Sequence, residues 1–202
     1  MKKYSVFSLI KNALSNHQNW DVVWRDPEPK KEYDAVIIGG GGHGLATAFY
    51  LAKYYNITNV AILEKGWIGG GNIARNTTIL RSNYMHDANN LFYNHGMKMW
   101  KDLSQELNYN VMYSPRGILN LAHSDAQLNA YSRRGNSMRL NGIDVSLLGR
   151  EEVKKMIPFA DFSENARFPI FGGLLQPIGG TARHDAVAWG YARAADDLGV
   201  DI

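Results

Sequence analysis

The sequence predicts an α/β fold: a Rossmann-like βαβ unit, an inserted antiparallel α+β portion, and a return to the first unit that is cut short. Three observations predict it. Two short apolar runs, Ala35-Val36-Ile37-Ile38 and Val60-Ala61-Ile62-Leu63, bracket a helical pattern within about thirty residues, the size of a βαβ unit. The first run ends in four consecutive glycines. Strand-and-turn signals of the antiparallel kind gather later, between residues 111 and 180.

The elements follow in order. Phe7, Ile10 and Leu14 fall at helical spacing, and Asp26-Pro27-Glu28-Pro29 then forces an extended linker, so residues 1–32 read as an arm that packs on something else. Trp20 and Trp24, in an otherwise polar stretch, suit docking on another subunit. Residues 35–38 have the continuous apolar character of a strand buried on both faces of a parallel sheet. Leu45, Ala48, Phe49 and Ala52 share one face of the following helix, and residues 60–63 form a second buried strand ending at Glu64.

Between Asp87 and Leu107 the apolar positions Phe92, Met99, Leu103 and Leu107 define an amphipathic helix. Val111-Met112-Tyr113 and Ile118-Leu119-Asn120-Leu121 flank Ser114-Pro115-Arg116-Gly117, which has the turn chemistry of a hairpin. A helix from about Asp125 stops at Asn141-Gly142, another covers 151–156 ahead of Pro158, and residues 172–180 are a glycine-rich strand and turn. The last helix begins near Asp185, its expected N-cap, and ends at Gly199. Val200-Asp201-Ile202 then reads as the opening of a third parallel strand, an odd place for a chain to stop, so the sequence is expected to be an N-terminal fragment, or a truncated reading frame, of a longer protein.

Composition narrows the class. The 202 residues are 45% apolar and 20% charged, which excludes a disordered chain and fits one domain with the beginning of a second. Twenty-two basic against 19 acidic residues give a formal charge of +3, but the basic residues are scattered in pairs such as Lys30-Lys31 and Arg133-Arg134, so nucleic acid gains no support as a partner. The absence of cysteine excludes disulfides, thiolate zinc sites and a cysteine nucleophile, and fits a reducing interior. No apolar run reaches the roughly eighteen residues of a membrane span, and the N-terminus lacks a signal-peptide pattern. A cytoplasmic protein is expected. His17, His86, His95 and His123 show no metal-ligand spacing, so no metal is expected, and Trp67, Trp100 and Trp189 read as core or interface residues.

Gly39-Gly40-Gly41-Gly42-His43-Gly44 satisfies G-x-G-x-x-G. Gly39 permits the tight turn, Gly41 lets the backbone approach a pyrophosphate, and Gly44 allows the helix to pack closely on the strand. The helix N-terminus adds free N–H groups and partial positive charge, and Glu64, about twenty residues on, is placed for ribose hydroxyls. His43 is expected to meet the cofactor through its backbone. A second glycine-rich stretch, 66–71, is followed by Asn72, Arg75, Asn76, Thr77 and Thr78, polar residues suited to run beside an extended cofactor, which favours FAD over NAD.

These segments resemble a known family. Residues 33–48, Leu63-Glu64-Lys65-Gly66-Trp67, the run Ala74-Arg75-Asn76-Thr77-Thr78-Ile79-Leu80-Arg81-Ser82-Asn83-Tyr84, residues 116–123 and Ala182-Arg183-His184-Asp185 are similar to the beta subunits of heterotetrameric sarcosine oxidases, in the D-amino-acid-oxidase-like flavoprotein group. The resemblance covers residues 33–202. It implies an FAD-binding βαβ unit over 33–84, an inserted substrate-domain portion over 85–180 and an incomplete return over 181–202. It also implies oxidation of sarcosine to glycine and formaldehyde with O₂ reduced to hydrogen peroxide, alongside alpha, gamma and delta subunits.

In that family FAD is held noncovalently, here by Gly39, Gly41, Gly42, His43, Gly44, Glu64, Lys65, Asn72, Arg75 and Thr77. FMN is covalent on a histidine, which the match places at His184. Attachment needs a neutral, nucleophilic imidazole nitrogen, and a position just before a helix N-terminus lowers the imidazolium population. Arg81 is expected to bind the substrate carboxylate, because a guanidinium offers a bidentate fork that lysine cannot reproduce. A salt-bridge or cofactor-phosphate role for Arg81 stays open, as does oxidation of another secondary amine or D-amino acid. So does a noncatalytic cofactor-binding module.

Overall fold

The computed structural model describes residues 5–18, 25–163 and 165–202. Trp20 and Trp24 lie outside the described residues. In chain order the elements are α1 (Val6–Leu14), β1 (Ala35–Ile38), α2 (Gly42–Tyr55), β2 (Val60–Leu63), a 3₁₀ turn (Asn72–Arg75), β3 (Ile79–Leu80) and α3 (Asp87–Glu106). There follow β4 (Ile118–Ala122), α4 (Asp125–Leu140), β5 (Ser146–Gly149), α5 (Arg150–Met156), β6 (Gly172–Gln176), β7 (Gly180–Thr181) and α6 (His184–Asp197). They form two compact units, one of residues 1–76 with 184–202, the other of residues 77–183.

In the first unit β1 and β2 pair in parallel, Ala35 opposite Val60 through Ile38 opposite Leu63. The chain end joins the other edge of β2: Asp201 N–H donates to Val60 O at 2.9 Å and Ile62 N–H to Asp201 O at 2.8 Å. The expected third parallel strand is therefore under way. Helices α2 and α6 pack on each other, with Leu45, Ala48, Val60, Ala192, Ala195 and Val200 all without solvent exposure. The alanines of α6 bring it close enough to α2 for Tyr191 to sit edge-on to Phe49, ring centroids 5.7 Å apart.

β1 departs from the sequence reading. Val36 and Ile38 are 53% and 89% exposed, so this strand is buried on one face only. α2 covers the Ala35 and Ile37 side; among the described residues nothing covers the other. The face of α1 bearing Phe7, Ile10 and Leu14 is exposed as well. Trp67 and Trp189 are also exposed, and neither is a core residue.

The residues flanking the double-proline linker on both sides fasten this unit. Arg25 Nε donates to Asp196 Oδ1 at 2.7 Å, Lys30 Nζ lies 3.0 Å from Asp201 Oδ2, and the Tyr33 hydroxyl donates to the same oxygen at 3.1 Å. Burial works to raise the Asp201 carboxyl, but the hydrogen bonds from Lys30 and Tyr33 and the nearby charges outweigh it and hold the group below its usual range. At Asp196 burial wins over Arg25 and the carboxyl is pushed up.

In the second unit a three-stranded antiparallel sheet has the order β4-β6-β5. Its core is Met138, Ile143, Val145 and Leu174, with Tyr131 and Leu147 against them. Two glycines let the strands of this sheet close up: a Cβ on Gly172 would stand 2.5 Å from Leu148 O, and one on Gly173 would stand 2.9 Å from Asn120 O.

The expected hairpin across residues 114–117 does not form. β4 pairs with β6, Ile118 opposite Gln176, and Ser114 bridges Thr181 instead of any residue of β4. Met112 has φ +54°, which breaks the extended run, and the glycine-rich 172–181 segment offers both arms a more open partner. α3 keeps the expected Leu103 and Leu107 inward but not the other half of the expected face. Met97, Leu103 and Leu107 are buried, whereas Phe92 and Met99 are exposed, because Asn90 is drawn inward to accept a hydrogen bond from Tyr84 N–H at 3.1 Å. Asp185 stands in the first turn of α6, and His184, not Asp185, opens the helix.

The Asp201 cluster gives a pH dependence. A carboxyl held low in the folded state contributes stability above its unfolded value, lost as pH falls through the folded value. Urea titrations from pH 6 to pH 2 should show stability falling below about pH 4, and Asp201→Asn should flatten that limb. An unchanged acid limb in the variant would assign the loss elsewhere.

Candidate cofactor and substrate sites

The first site is the loop between β1 and α2. Gly39 has φ +106°, the left-handed conformation its tight turn requires. A Cβ on Gly44 would lie 2.1 Å from Gly39 O, so helix and strand meet at a distance only glycine allows. A Cβ on Gly41 would meet nothing within 4 Å, leaving the backbone open on that side. The N-cap of α2 is Gly41 itself, with no side-chain cap, so the first N–H groups of the helix point outward. This arrangement suits an anion.

Glu64 ties the loop together. Its two oxygens accept from Gly40 N–H and Gly66 N–H, each at 2.8 Å. These N–H groups, Gly66 first, hold the carboxyl below its usual range, so it is ionised at neutral pH. A carboxylate has about four lone-pair sites, so two stay open for hydroxyl donors. The 3₁₀ turn lies beside the loop, with Ile73 Cδ1 only 2.9 Å from where a Gly42 Cβ would stand. Lys65, Asn72, Arg75 and His43 are exposed around it.

Thr77 and Arg81 belong to the second unit. There a cavity of about 370 Å³ is lined by the polar side chains of Arg81, Asn83, Tyr84, Asn120 and Arg134 and by three apolar ones, Ile79, Met85 and Ile118. Its volume falls within the roughly 300–1,000 Å³ of small-molecule sites. Arg81 is held from two directions: Nη1 donates to Asn83 Oδ1 at 2.6 Å, and the guanidinium lies 4.8 Å from the Tyr84 ring centroid.

The segment carrying Arg81 is pinned by buried carboxamides. Gln176, fully buried on β6, accepts from Ser82 N–H at 3.1 Å and donates to Ser82 Oγ. Asn83 Nδ2 donates to Asn120 Oδ1 at 2.6 Å, and Asn90 receives Tyr84 N–H. Burial raises the Tyr84 hydroxyl pKa against the pull of Arg81, so Tyr84 remains a neutral phenol. Sequence reasoning missed Asn83, Asn120, Arg134 and Gln176. For Asn120 and Gln176 the available signal was a polar residue at a strand position otherwise filled by leucine and glycine.

His184 opens α6 in the first unit, and its Nδ1 is buried without a hydrogen-bond partner. A buried, unpaired ring nitrogen is costly unless something uses it.

Comparison with known proteins identifies the family. The family model described as FAD dependent oxidoreductase matches residues 34–202. The chain belongs to that family. It is 62% identical over 200 residues to sarcosine oxidase subunit beta of Rhizobium meliloti strain 1021, covering 99% of this chain and 48% of that protein. Against the subunit of the same name from Rhodobacter capsulatus it is 50% identical over 202 residues, covering 100% and 49%. The chain thus spans about half the length of the curated relatives it matches. Among solved structures, L-proline dehydrogenase from P. horikoshii superposes with a TM-score of 0.76 at 26% identity, covering 86% of this chain and 44% of that one. The mixed α/β fold is that of FAD-dependent oxidases and dehydrogenases.

FAD fits the loop on the structure's own terms, through the open side of Gly41 and the uncapped helix. Two substitutions separate packing from binding. Gly44→Ala should destabilise the protein by about 1–3 kcal/mol, because its Cβ overpacks against Gly39 O. A Cβ on Gly41 meets no protein atom within 4 Å, so Gly41→Ala should leave flavin-free stability within about 0.5 kcal/mol while sharply lowering FAD content. Thermal melts with and without FAD, beside flavin absorbance, check both. Full flavin occupancy in Gly41→Ala would remove the pyrophosphate from this loop.

Proposed function

We propose that this chain is part of the beta subunit of a heterotetrameric sarcosine oxidase, acting with alpha, gamma and delta subunits inside the cell. The reaction is sarcosine + O₂ + H₂O → glycine + formaldehyde + H₂O₂. Identity to two proteins named sarcosine oxidase subunit beta along nearly the whole chain carries this reading. The exposed apolar face of α1 supports a multi-subunit setting, and the absence of cysteine supports a reducing one. Among the described residues no helix is long and apolar enough to cross a membrane.

The chemistry the flavins supply when bound is acceptance of a hydride from the substrate's N-methyl group and return of the electrons to O₂. The chain's own residues do the rest. Gly39, Gly41, Gly42, His43 and Gly44 present backbone to the FAD pyrophosphate, Glu64 receives ribose hydroxyls, and Lys65, Asn72, Arg75 and Thr77 border the extended cofactor. Arg81 binds the substrate carboxylate through its remaining N–H donors, with Asn83 and Tyr84 fixing the plane of the fork. His184 carries FMN. Its unpaired, buried Nδ1 supports this, since an imidazole with a free ring nitrogen is what attachment to a flavin methyl group requires.

The test is peptide mapping by mass spectrometry of the flavin-loaded protein assembled with its partners, beside sarcosine-dependent peroxide formation. FMN on the His184 peptide with peroxide release is expected. An unmodified His184 peptide overturns the attachment, and no turnover of sarcosine overturns the assignment. Arg81→Lys should keep its flavin and raise the sarcosine KM by about tenfold or more, the cost of a charge-assisted hydrogen bond of roughly 1.5–3 kcal/mol. Flavin loss in that variant would move Arg81 to the cofactor.

A further inference from the structure

The cavity of the second unit holds a second cation that a single carboxylate anchor leaves unused. Arg134, half-buried on α4, lines the same cavity as Arg81. Its guanidinium lies 5.3 Å from the centroid of the Tyr131 ring, and the Tyr131 hydroxyl donates to Leu121 O at 3.2 Å. The ring that supports Arg134 is thereby tied to β4, next to Asn120 in the cavity wall. The ring contact steadies the guanidinium, and among the described residues no hydrogen bond or ion pair takes up its N–H edge.

Charge balance points the same way. Among the described residues no aspartate or glutamate lines the cavity, and neither Arg81 nor Arg134 forms an ion pair. Two guanidiniums facing one concavity repel each other unless anions lie between them. The volume of about 370 Å³ leaves room for a ligand longer than a three-carbon amino acid.

We propose that Arg134 is a second anion-binding group of this cavity, so that the site takes amines carrying two carboxylates, one on Arg81 and the other on Arg134. This rests on the reading of Arg81 as the carboxylate anchor. Such a ligand is an N-substituted amino acid whose second acid lies a few bonds beyond the nitrogen, and sarcosine occupies only the Arg81 half.

Two ethers that cannot be oxidised as amines make the test: methoxyacetate, with one carboxylate, and oxydiacetate, the same chain with two. Their dissociation constants are read from flavin absorbance in the assembled, flavin-loaded enzyme and in Arg134→Gln, Arg134→Lys and Arg81→Lys. The wild type should bind oxydiacetate about tenfold more tightly than methoxyacetate, as one added charge-assisted contact predicts. Arg134→Gln should erase that preference while moving methoxyacetate by no more than about threefold, and Arg134→Lys should restore part of it. A wild type without preference overturns the proposal even if Arg134→Gln fails to assemble. Equal weakening of both ligands in Arg134→Gln also overturns it, since one carboxylate then bridges both arginines. If instead Arg81→Lys leaves methoxyacetate binding unchanged, the carboxylate anchor itself is misplaced and the underlying reading fails.

Discussion

The pairing of buried carboxamides with the backbone and side chains of residues 82–84 is the constraint on which the second unit depends. Ser82 and Asn83 are almost wholly buried in a stretch that is neither helix nor long strand, so their polar groups must find partners inside the protein. Gln176, Asn120 and Asn90 supply them from β6, β4 and α3. Each such bond adds only about 1 kcal/mol net, but a partner removed leaves a buried group unpaired at about 1–3 kcal/mol. The segment therefore has one well-satisfied conformation, and Arg81 inherits its position.

The phosphate loop solves the opposite problem. There the backbone is left open instead of being satisfied from within. Glu64 pairs with Gly40 and Gly66 and so holds the shape of the loop, while the first N–H groups of α2 have no side-chain cap. The near contact at Gly44 brings α2 down on β1, which fixes where those N–H groups point. Side chains make the substrate cavity; their absence makes the cofactor loop.

That contrast explains what the sequence made legible. The βαβ unit, its glycines and the Leu45–Ala52 face rest on neighbours close along the chain, and each was readable from spacing; the third parallel strand, though it meets β2 across most of the chain, was readable because a two-stranded parallel sheet calls for one after a returning helix. The β4–β6 pairing was not, because Ile118 meets Gln176 only after two helices and β5 have been laid between them. The face of α3 was half legible for a related reason: hydrophobic periodicity placed Leu103 and Leu107 correctly but also chose Phe92 and Met99, where the inward position belongs to Asn90, which reaches Tyr84. At the candidate sites, Arg81 and the glycines announce themselves by type and motif. Asn83, Asn120 and Gln176 matter only through one another, so a polar residue in a strand run marks Asn120 and Gln176 without saying what either one holds.

The same geometry separates charge from shape at Arg81. If charge alone mattered, the surroundings would need only to exclude carboxylates, and a flexible ammonium would serve. Instead Asn83 takes one N–H of the fork and the Tyr84 ring lies against its face, so two of the freedoms an arginine normally keeps are already fixed. Asn83 can do this only because Asn120 fixes its own amide, and Tyr84 only because Asn90 holds its backbone. The ordering entropy of the long side chain is thus largely met during folding, which leaves the incoming anion to supply contacts and little else.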